Sequence, residues 1–281
     1  MAGMFQDRKL VIATKHRKEQ VIAPIIESEW GVLSFADGMV DTDELGTFSG
    51  EIPRTLDPLA TVKEKCLRAM RANNCDLGIA SEGAFGPHPQ IYFVNADEEF
   101  LVLMDSRNNL EVLVRELSLS TNFNGKQVQS QEELLDFAEQ VGFPDHGLIL
   151  RKSANESMDL FKGIQSTDTL MEVFEYLLSK YASVYVETDM RAMYNPTRMK
   201  VIEQATRKLV QKVNSTCPQC QTPGFGIVDA KMGLKCGLCQ TPTNSVLSYL
   251  YVCDRCQFVK EEMYPNQKTS EDPMYCNVCN P

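Results

Sequence analysis

The stretch that decides the fold of the C-terminal part is residues 217–239, which reads CPQCQTPGFGIVDAKMGLKCGLC. A second stretch, residues 253–279, reads CDRCQFVKEEMYPNQKTSEDPMYCNVC. Together they contain four C-x-x-C knuckles, with 15 residues between the first two and 19 between the last two. Two cysteines at this spacing place both sulfurs on one metal ion, and a second pair completes a tetrahedron. The spacing therefore predicts a double zinc-ribbon module over residues 215–281, with two zinc ions.

The eight predicted zinc ligands are Cys217, Cys220, Cys236, Cys239, Cys253, Cys256, Cys276 and Cys279. Four thiolates leave no position for a catalytic water, so we expect both zinc ions to be structural. The preferred interpretation pairs the knuckles sequentially, the first with the second and the third with the fourth. Crossed pairing, the first with the third and the second with the fourth, is also compatible with the spacing.

Composition bounds the class of protein. The 281 residues are 43% hydrophobic and 23% charged, which is ordinary for a soluble globular protein. No apolar run approaches the roughly 18 to 20 residues that a membrane span needs, and the N-terminus is not a secretory signal, so we expect a cytoplasmic protein. Its net charge of −10 argues against nucleic acid or an anionic membrane as a partner.

The zinc module carries five basic and six acidic side chains from residue 217 onward, so it does not have the charge of a nucleic-acid reader. We expect it to clamp the rest of the chain, to meet a protein partner or to form a homo-oligomer. In a chain expected to be cytoplasmic, C-x-x-C spacing favours metal over disulfide bonds.

Upstream of the cysteines, short apolar strands alternate with amphipathic helices, which predicts an α/β domain with a mixed sheet over residues 1–214. The predicted strands cover residues 9–16 (running into a polar loop), 76–80, 91–95, 100–105, 110–117, 147–152 and 183–188. The predicted helices cover residues 17–30, 57–70, 130–141, 167–181 and 195–214. Residues 36–55, 81–89, 122–131 and 153–166 are predicted to be loops.

A candidate phosphate-binding cleft lies where the first strand meets the first helix. The loop includes Thr14, Lys15 and Lys18, and His16 and Arg17 add further basic character. Backbone N–H groups and the helix dipole favour an anion at such a junction. The alternative is a solvated turn.

Two other places offer functional side chains. Glu82 precedes Gly83, and a glycine permits close backbone approach to a ligand, although an ordinary turn carboxylate is the alternative. Arg191 and Arg198 flank a helix start, where either arginine can bind a phosphate. Internal pairing of Arg191 with a nearby carboxylate, from residue 187 or 189, is the alternative.

The segments Ala80–Pro89 (ASEGAFGPHP) and Glu187–Arg198 (ETDMRAMYNPTR) resemble a bacterial family of domains of unknown function. The eight-cysteine tail shares this resemblance, which extends over nearly the whole chain. It implies no activity.

A second resemblance covers residues 9 to about 90. The order strand, Thr-x-x-x-Lys loop, helix, acidic loop, lysine-bearing helix, strand and Glu-Gly turn is similar to the inosine/xanthosine triphosphate pyrophosphatases. This resemblance implies hydrolysis of a nucleoside triphosphate to the monophosphate and pyrophosphate with Mg²⁺. It places Thr14 and Lys18 on the phosphate-binding loop, Lys63 on the helix and Glu82 on the turn.

The chain departs from that family at two points. The asparagine usual in the first loop is absent, and Lys15 and His16 occupy its region. The acidic position before the helix falls near Arg54. The remaining candidate Mg²⁺ ligands beside Glu82 are Asp43, Glu44 and Glu51.

Two functions follow as hypotheses. The first is a Mg²⁺-dependent hydrolase of nucleotide phosphoanhydrides, with Lys18, Lys63 and Glu82 as catalytic residues and a phosphorylated small molecule as substrate. The second is a non-catalytic zinc-ribbon protein that binds a protein or a ligand. The enzyme hypothesis requires at least one of Asp43, Glu44 and Glu51 to converge with Glu82 on the cation.

Overall fold

The structure is a computed structural model that describes residues 2–47, 50–53, 55–154 and 156–281. At Ala2, Thr42 and Asp43 it describes the backbone alone. The chain divides into two compact units, Met1–Val210 and Gln211–Pro281. In the described residues, no helix has the length and apolar character needed to cross a membrane.

A five-stranded mixed sheet organises the first unit, in the order β2-β1-β3-β4-β5. Its strands are β1 Lys9–Ala13, β2 Leu33–Ala36, β3 Leu77–Pro87, β4 Asn95–Asp105 and β5 Leu110–Ser118. The first three are parallel, and the last three form an antiparallel meander. Strand β1 ends beside Ala80, whereas β3 continues for seven more residues to Pro87.

Helices cover both faces of this sheet. A short helix, α1 (Ala2–Phe5), precedes β1; α2 (Glu19–Trp30) connects β1 to β2, and α3 (Pro58–Ala72) connects β2 to β3. The two connections run in opposite directions along the sheet, so right-handed crossovers place α2 and α3 on opposite faces. Helix α3 packs its buried residues Val62, Cys66 and Ala69 on one face of the sheet.

A second, four-stranded sheet follows in the same unit, in the order β6-β9-β7-β8 with antiparallel pairing. Its strands are β6 Gly125–Val128, β7 Leu148–Arg151, β8 Phe161–Ile164 and β9 Val184–Thr188. Its helices are α4 (Gln131–Gln140) and α5 (Thr167–Lys180), and both pack into one apolar core with the strands. Helix α6 (Pro196–Asn214) follows β9.

The second unit is built on a three-stranded antiparallel sheet in the order β10-β11-β12. Its strands are β10 Gly226–Met232, β11 Val246–Val252 and β12 Val259–Met263. A C-x-x-C knuckle precedes β10, and another follows each of the three strands.

The mixed α/β fold with C-terminal cysteine clusters is confirmed, but four local predictions are wrong. Residues 81–87 continue β3 instead of forming a loop, because β4 pairs with every residue of that strand and supplies its backbone partners. The predicted strand at residues 91–95 is mostly the turn between β3 and β4. Strands β6 and β8 lie in the segments 122–131 and 153–166 that were predicted to be loops.

Candidate functional sites

The eight cysteines form two four-cysteine groups with crossed pairing. One group is Cys217, Cys220, Cys253 and Cys256, and the other is Cys236, Cys239, Cys276 and Cys279. Sequential pairing, the preferred prediction, is therefore wrong. Strand order explains the result, because the knuckles are separated by successive strands of an antiparallel meander and so alternate between its two ends.

The geometry of both groups fits Zn²⁺. Within each group all four sulfurs lie within 4.8 Å of one another. The closest Sγ–Sγ distances are 3.6 Å in the first group and 3.6 and 3.9 Å in the second. A tetrahedron with Zn–S bonds of about 2.3 Å has edges of about 3.8 Å. Each group therefore matches a closed structural zinc site.

Local hydrogen bonds favour the thiolate form at one cysteine of each group. The Sγ atom of Cys220 lies 3.2 Å from the hydroxyl group of Thr222. This contact lowers the pKa of Cys220 to about 6. The side chain of Thr241 lowers the pKa of Cys239 to about 6 in the same way. Equivalent threonines therefore prepare one thiolate in each group for a metal ion.

A different kind of site lies at the carboxyl end of β1. The connections from β1 and β3 diverge there, which is where ligands bind in open α/β sheets. In the loop 14–18, Thr14 Oγ1 accepts hydrogen bonds from the backbone N–H groups of His16 (3.1 Å) and Lys18 (3.4 Å). Arg17 adopts a left-handed φ of 57°. The loop buries Lys18 immediately before α2.

Lys18 is 6% exposed and reaches β3. Its Nζ atom donates hydrogen bonds to Ser81 Oγ (2.8 Å) and to the Ser81 carbonyl oxygen (3.3 Å). Burial, followed by the positive charge of Arg198, lowers the pKa of Lys18 to about 7. The amine is thus held near the midpoint of its titration at neutral pH.

Positive charge dominates around His16. Burial, followed by the positive charges of Lys18, Arg198, Arg191 and Lys65, lowers the pKa of His16 to about 3. The imidazole is therefore neutral at pH 7 in a region where basic side chains converge. An anion would be stabilised there.

Carboxylates balance this charge on both faces of the sheet. On the α3 face, Glu82 is 1% exposed and its Oε2 atom accepts a 2.6 Å hydrogen bond from Lys65 Nζ. On the opposite face, Glu99 Oε1 accepts a 2.6 Å hydrogen bond from Arg198 Nε. Both side chains of the Arg198–Glu99 pair are fully buried. The two faces meet beyond the end of β1, where β3 has no parallel neighbour on that side.

Asp97 lies on the same face of β4 as Glu99 and is 1% exposed. Burial, followed by the charge of Glu99, raises the pKa of Asp97 to about 8. Within the described parts of the chain, neither carboxylate oxygen of Asp97 has a hydrogen-bond partner. Asp97 is therefore a buried acid whose carboxyl group has no hydrogen-bond donor among the described residues.

A cleft of about 310 Å³ with a mixed polar and apolar lining adjoins this charged cluster; its lining includes Phe85, Phe123, Glu187 and Met190. The rings of Phe85 and Phe123 stack with centroids 5.8 Å apart. The guanidinium group of Arg198 lies over the Phe85 ring, 5.0 Å from its centroid. The cleft and the cluster thus share a wall.

Of the predicted site residues, the structure brings Thr14, Lys18, Glu82 and Arg198 into this region. Lys15 instead forms an exposed salt bridge with a carboxylate, that of Asp41, at 2.6 Å. This pair borders a separate depression of about 460 Å³ at the ends of β1 and β2.

Other predicted residues lie in ordinary ion pairs. Arg191 contacts both oxygens of Asp189, which corresponds to the internal-pairing alternative. On α3, Lys63 Nζ pairs with Glu111 at 2.6 Å in a solvent-exposed contact, and the lysine that meets Glu82 is Lys65.

Two of the candidate acids of the predicted loop, Glu44 and Glu51, lie in ion pairs with basic side chains. Glu44 lies 3.6 Å from Arg68, and Glu51 lies 2.5 Å from Lys162. The side chain of Asp43 and the whole of Arg54 lie outside the described residues. Among the residues that the structure describes, only the two cysteine groups place three or more metal-ligating atoms within 4.8 Å.

Sequence reasoning missed Lys65, Asp97 and Glu99. A signal for the two acids was present: Asp97 and Glu99 alternate in phase with the buried Leu101 and Leu103 of the same strand. Charged residues in phase with an apolar face are rare unless they are paired or functional. For Lys65, no comparable pattern separates it from Lys63.

The sequence profile of the domain of unknown function DUF6671 matches residues 65–281. The chain belongs to the DUF6671 family. The matched DUF6671 region begins at Lys65 and includes Glu82, Arg198 and all eight clustered cysteines, whereas the loop 14–18 precedes it.

Other comparisons add little to the DUF6671 assignment. The search of curated proteins finds no match. Among solved structures, the chain is similar to protein VC0702 from Vibrio cholerae, with 10% sequence identity and a TM-score of 0.30. The similarity covers 73% of this chain and 94% of that one, and it is too distant to indicate a shared activity.

Proposed function

We propose that the α/β unit hydrolyses a phosphoanhydride bond of a nucleotide with the help of Mg²⁺, while the zinc module is structural. The observation that carries this proposal is the buried Lys18 at the carboxyl end of β1, bonded to Ser81 beside Glu82. A buried amine at the N-terminus of a helix is costly for the fold and is suited to binding a phosphate. Nearby Lys65 and Arg198 enlarge the positive field.

In this proposal Lys18, Glu82 and Lys65 have different roles in hydrolysis. Burial lowers the pKa of Lys18 to about 7, and the negative charge of an arriving phosphate favours the protonated amine. The charged amine then binds the phosphoryl oxygens. Glu82, oriented by Lys65, accepts a proton from the attacking water. Bound Mg²⁺ would neutralise charge on the phosphoryl oxygens. The water attacks phosphorus, and the anhydride oxygen leaves with the departing phosphate.

The test is release of pyrophosphate or phosphate from a nucleoside triphosphate panel with Mg²⁺, using the zinc-loaded full chain. We expect Lys18→Met, Glu82→Gln and Lys65→Met each to reduce turnover on the order of 10² to 10³-fold, as loss of one preorganised contact typically does. Lys63→Met is the matched control, because it makes the same change on the exposed side of α3. Absence of product from every nucleotide, or full activity in all three variants, would disprove the hydrolase.

A second candidate is a non-catalytic protein that binds a phosphorylated ligand. It is favoured by the existing charge pairs, since Lys65 already neutralises Glu82 and Arg198 already neutralises Glu99. Such a protein would bind nucleotide through Lys18 without releasing product. Calorimetric binding of a nucleoside triphosphate that Lys18→Met abolishes, together with no turnover, would select this candidate.

A further inference from the structure

The carboxylates of Asp97 and Glu99 have an unusual environment on β4. They alternate along the strand, so both point to the face opposite α3, and each is at most 1% exposed. Between them, Glu98 points to the other face and pairs with Arg115. Two buried acids side by side on one face require positive charge to be stable as anions.

The protein supplies only part of that charge. Arg198 donates to Glu99 Oε1, but in the described residues Glu99 Oε2 and both oxygens of Asp97 accept no hydrogen bond. Unpartnered buried polar atoms are rare in folded proteins, and each costs about 1–3 kcal/mol or more. Three such oxygens on two neighbouring side chains are the kind of ligand atoms that a hard cation takes.

The opposite strand carries a glycine at this point. Gly83 of β3 pairs in register with Glu99. A Cβ atom at Gly83 would lie 2.6 Å from Glu99 Oε1 and 2.4 Å from Arg198 Nη2, so only glycine accommodates this arrangement. The backbone of β3 therefore lies close to Glu99 and to the guanidinium group of Arg198.

We propose that Asp97 and Glu99 bind a divalent cation of the Mg²⁺ class. Hard cations of this class take oxygen ligands, and one or two protein carboxylates usually suffice because water and phosphate complete the shell. Asp97 and Glu99 thus take the place of the predicted ligand set, which was Glu82 with the acidic loop. Glu44 and Glu51 of that loop lie in other ion pairs. The role of the cation in hydrolysis rests on the proposed function, but its binding does not.

The experiment titrates Mn²⁺ into the zinc-loaded full chain without nucleotide, in chelator-free buffer, and follows free Mn²⁺ by electron paramagnetic resonance. We expect one Mn²⁺ per chain and at least a tenfold weaker affinity in Asp97→Asn. Glu98→Gln is the matched control, since it removes one charge from the adjacent residue on the opposite face. It is expected to bind Mn²⁺ like the wild type.

Folding of the variants is checked by urea unfolding, with the single tryptophan, Trp30 of α2, as the fluorescent probe. Asp97→Asn should fold, because the side chain it replaces makes no hydrogen bond within the described chain. Mn²⁺ should raise the unfolding midpoint of the wild type and of Glu98→Gln, but not that of Asp97→Asn.

Several outcomes would overturn the proposal. These are no Mn²⁺ binding by the wild type, undiminished binding by Asp97→Asn, or loss of binding in Glu82→Gln with retention in Asp97→Asn. Mn²⁺ binding through Asp97 without any nucleotide turnover would support this site and refute the hydrolase. Nucleotide turnover together with Mn²⁺ binding that Asp97→Asn does not weaken would support the hydrolase and refute this cation site.

Discussion

Replacing Lys18 by methionine should stabilise the α/β unit, and the gain should depend on pH. The substitution keeps an unbranched side chain of similar length in a site that is 6% exposed and removes the amine whose burial is costly. Burial and Arg198 lower the pKa of Lys18 from 10.5 to about 7. A buried base with a depressed pKa destabilises the folded state whenever its unfolded form is protonated.

The magnitude follows from that shift. Each pKa unit corresponds to about 1.4 kcal/mol, so the difference between 10.5 and about 7 sets an upper limit of about 5 kcal/mol. Loss of the hydrogen bonds to Ser81 offsets about 1–2 kcal/mol of this. We therefore expect Lys18→Met to increase the free energy of unfolding at pH 6, by at most about 3–4 kcal/mol.

The stability difference between Lys18→Met and the wild type should decrease as the pH rises above about 7. Below about pH 7, both folded and unfolded wild type carry the Lys18 proton, and the full penalty applies. Between about pH 7 and 10.5 the folded state binds fewer protons than the unfolded state, so wild-type stability rises relative to the variant. The advantage of Lys18→Met should therefore shrink steadily from pH 7 to pH 10.

The assay is urea unfolding at pH 6, 7.5, 9 and 10, followed through Trp30 in α2. The control, Lys63→Met, breaks an exposed pair with Glu111 and should change stability by less than about 1 kcal/mol without a trend in pH. If Lys18→Met were destabilised by the same amount at every pH, the hydrogen bonds to Ser81 would outweigh desolvation. The reasoning would then be wrong.

Two further predictions concern the zinc groups and the β3–β4 contact. Elemental analysis should find one zinc per chain in the double variant Cys217→Ser/Cys253→Ser and none in Cys217→Ser/Cys236→Ser. Crossed pairing puts Cys217 and Cys253 on the same ion, whereas Cys217 and Cys236 belong to different ions. No zinc in the former variant and one zinc in the latter would show sequential pairing instead. Gly83→Ala should lower the free energy of unfolding by about 1–3 kcal/mol, since its Cβ would meet a fully buried guanidinium at 2.4 Å. Gly86→Ala is the control, with nothing within 4 Å of its Cβ, and equal urea midpoints for the two variants would contradict the argument.

The alternating α/β pattern was readable because each element has its own period. Helix α3, for example, begins at Pro58 after the capping residue Asp57, as its sequence predicts. Residues 81–87 were misjudged because glycine and proline are poor strand formers in isolation, whereas β4 pairs with each of them. Pairing with a distant strand therefore overrode local preference.

The candidate site was only partly readable for a related reason. Thr14 and Lys18 were found because a strand-to-helix junction is a local feature. Lys63 and Lys65 are two residues apart on a helix, and a shift of about 200° around its axis decides which of them meets Glu82. Sequence alone does not determine that rotation accurately enough.

The sequence by itself determined which eight cysteines form the two candidate zinc groups, because two cysteines separated by two residues place both sulfurs within reach of one ion. Only the tertiary structure decided which knuckles share an ion, since an antiparallel sheet brings alternate strand ends together. The same holds for Asp97 and Glu99, which approach Lys18 and Arg198 through strand pairing and helix packing. The geometry of a C-x-x-C knuckle depends on residues that are neighbours in sequence. The charged cluster depends instead on contacts between residues that are far apart in sequence, such as Glu99 and Arg198.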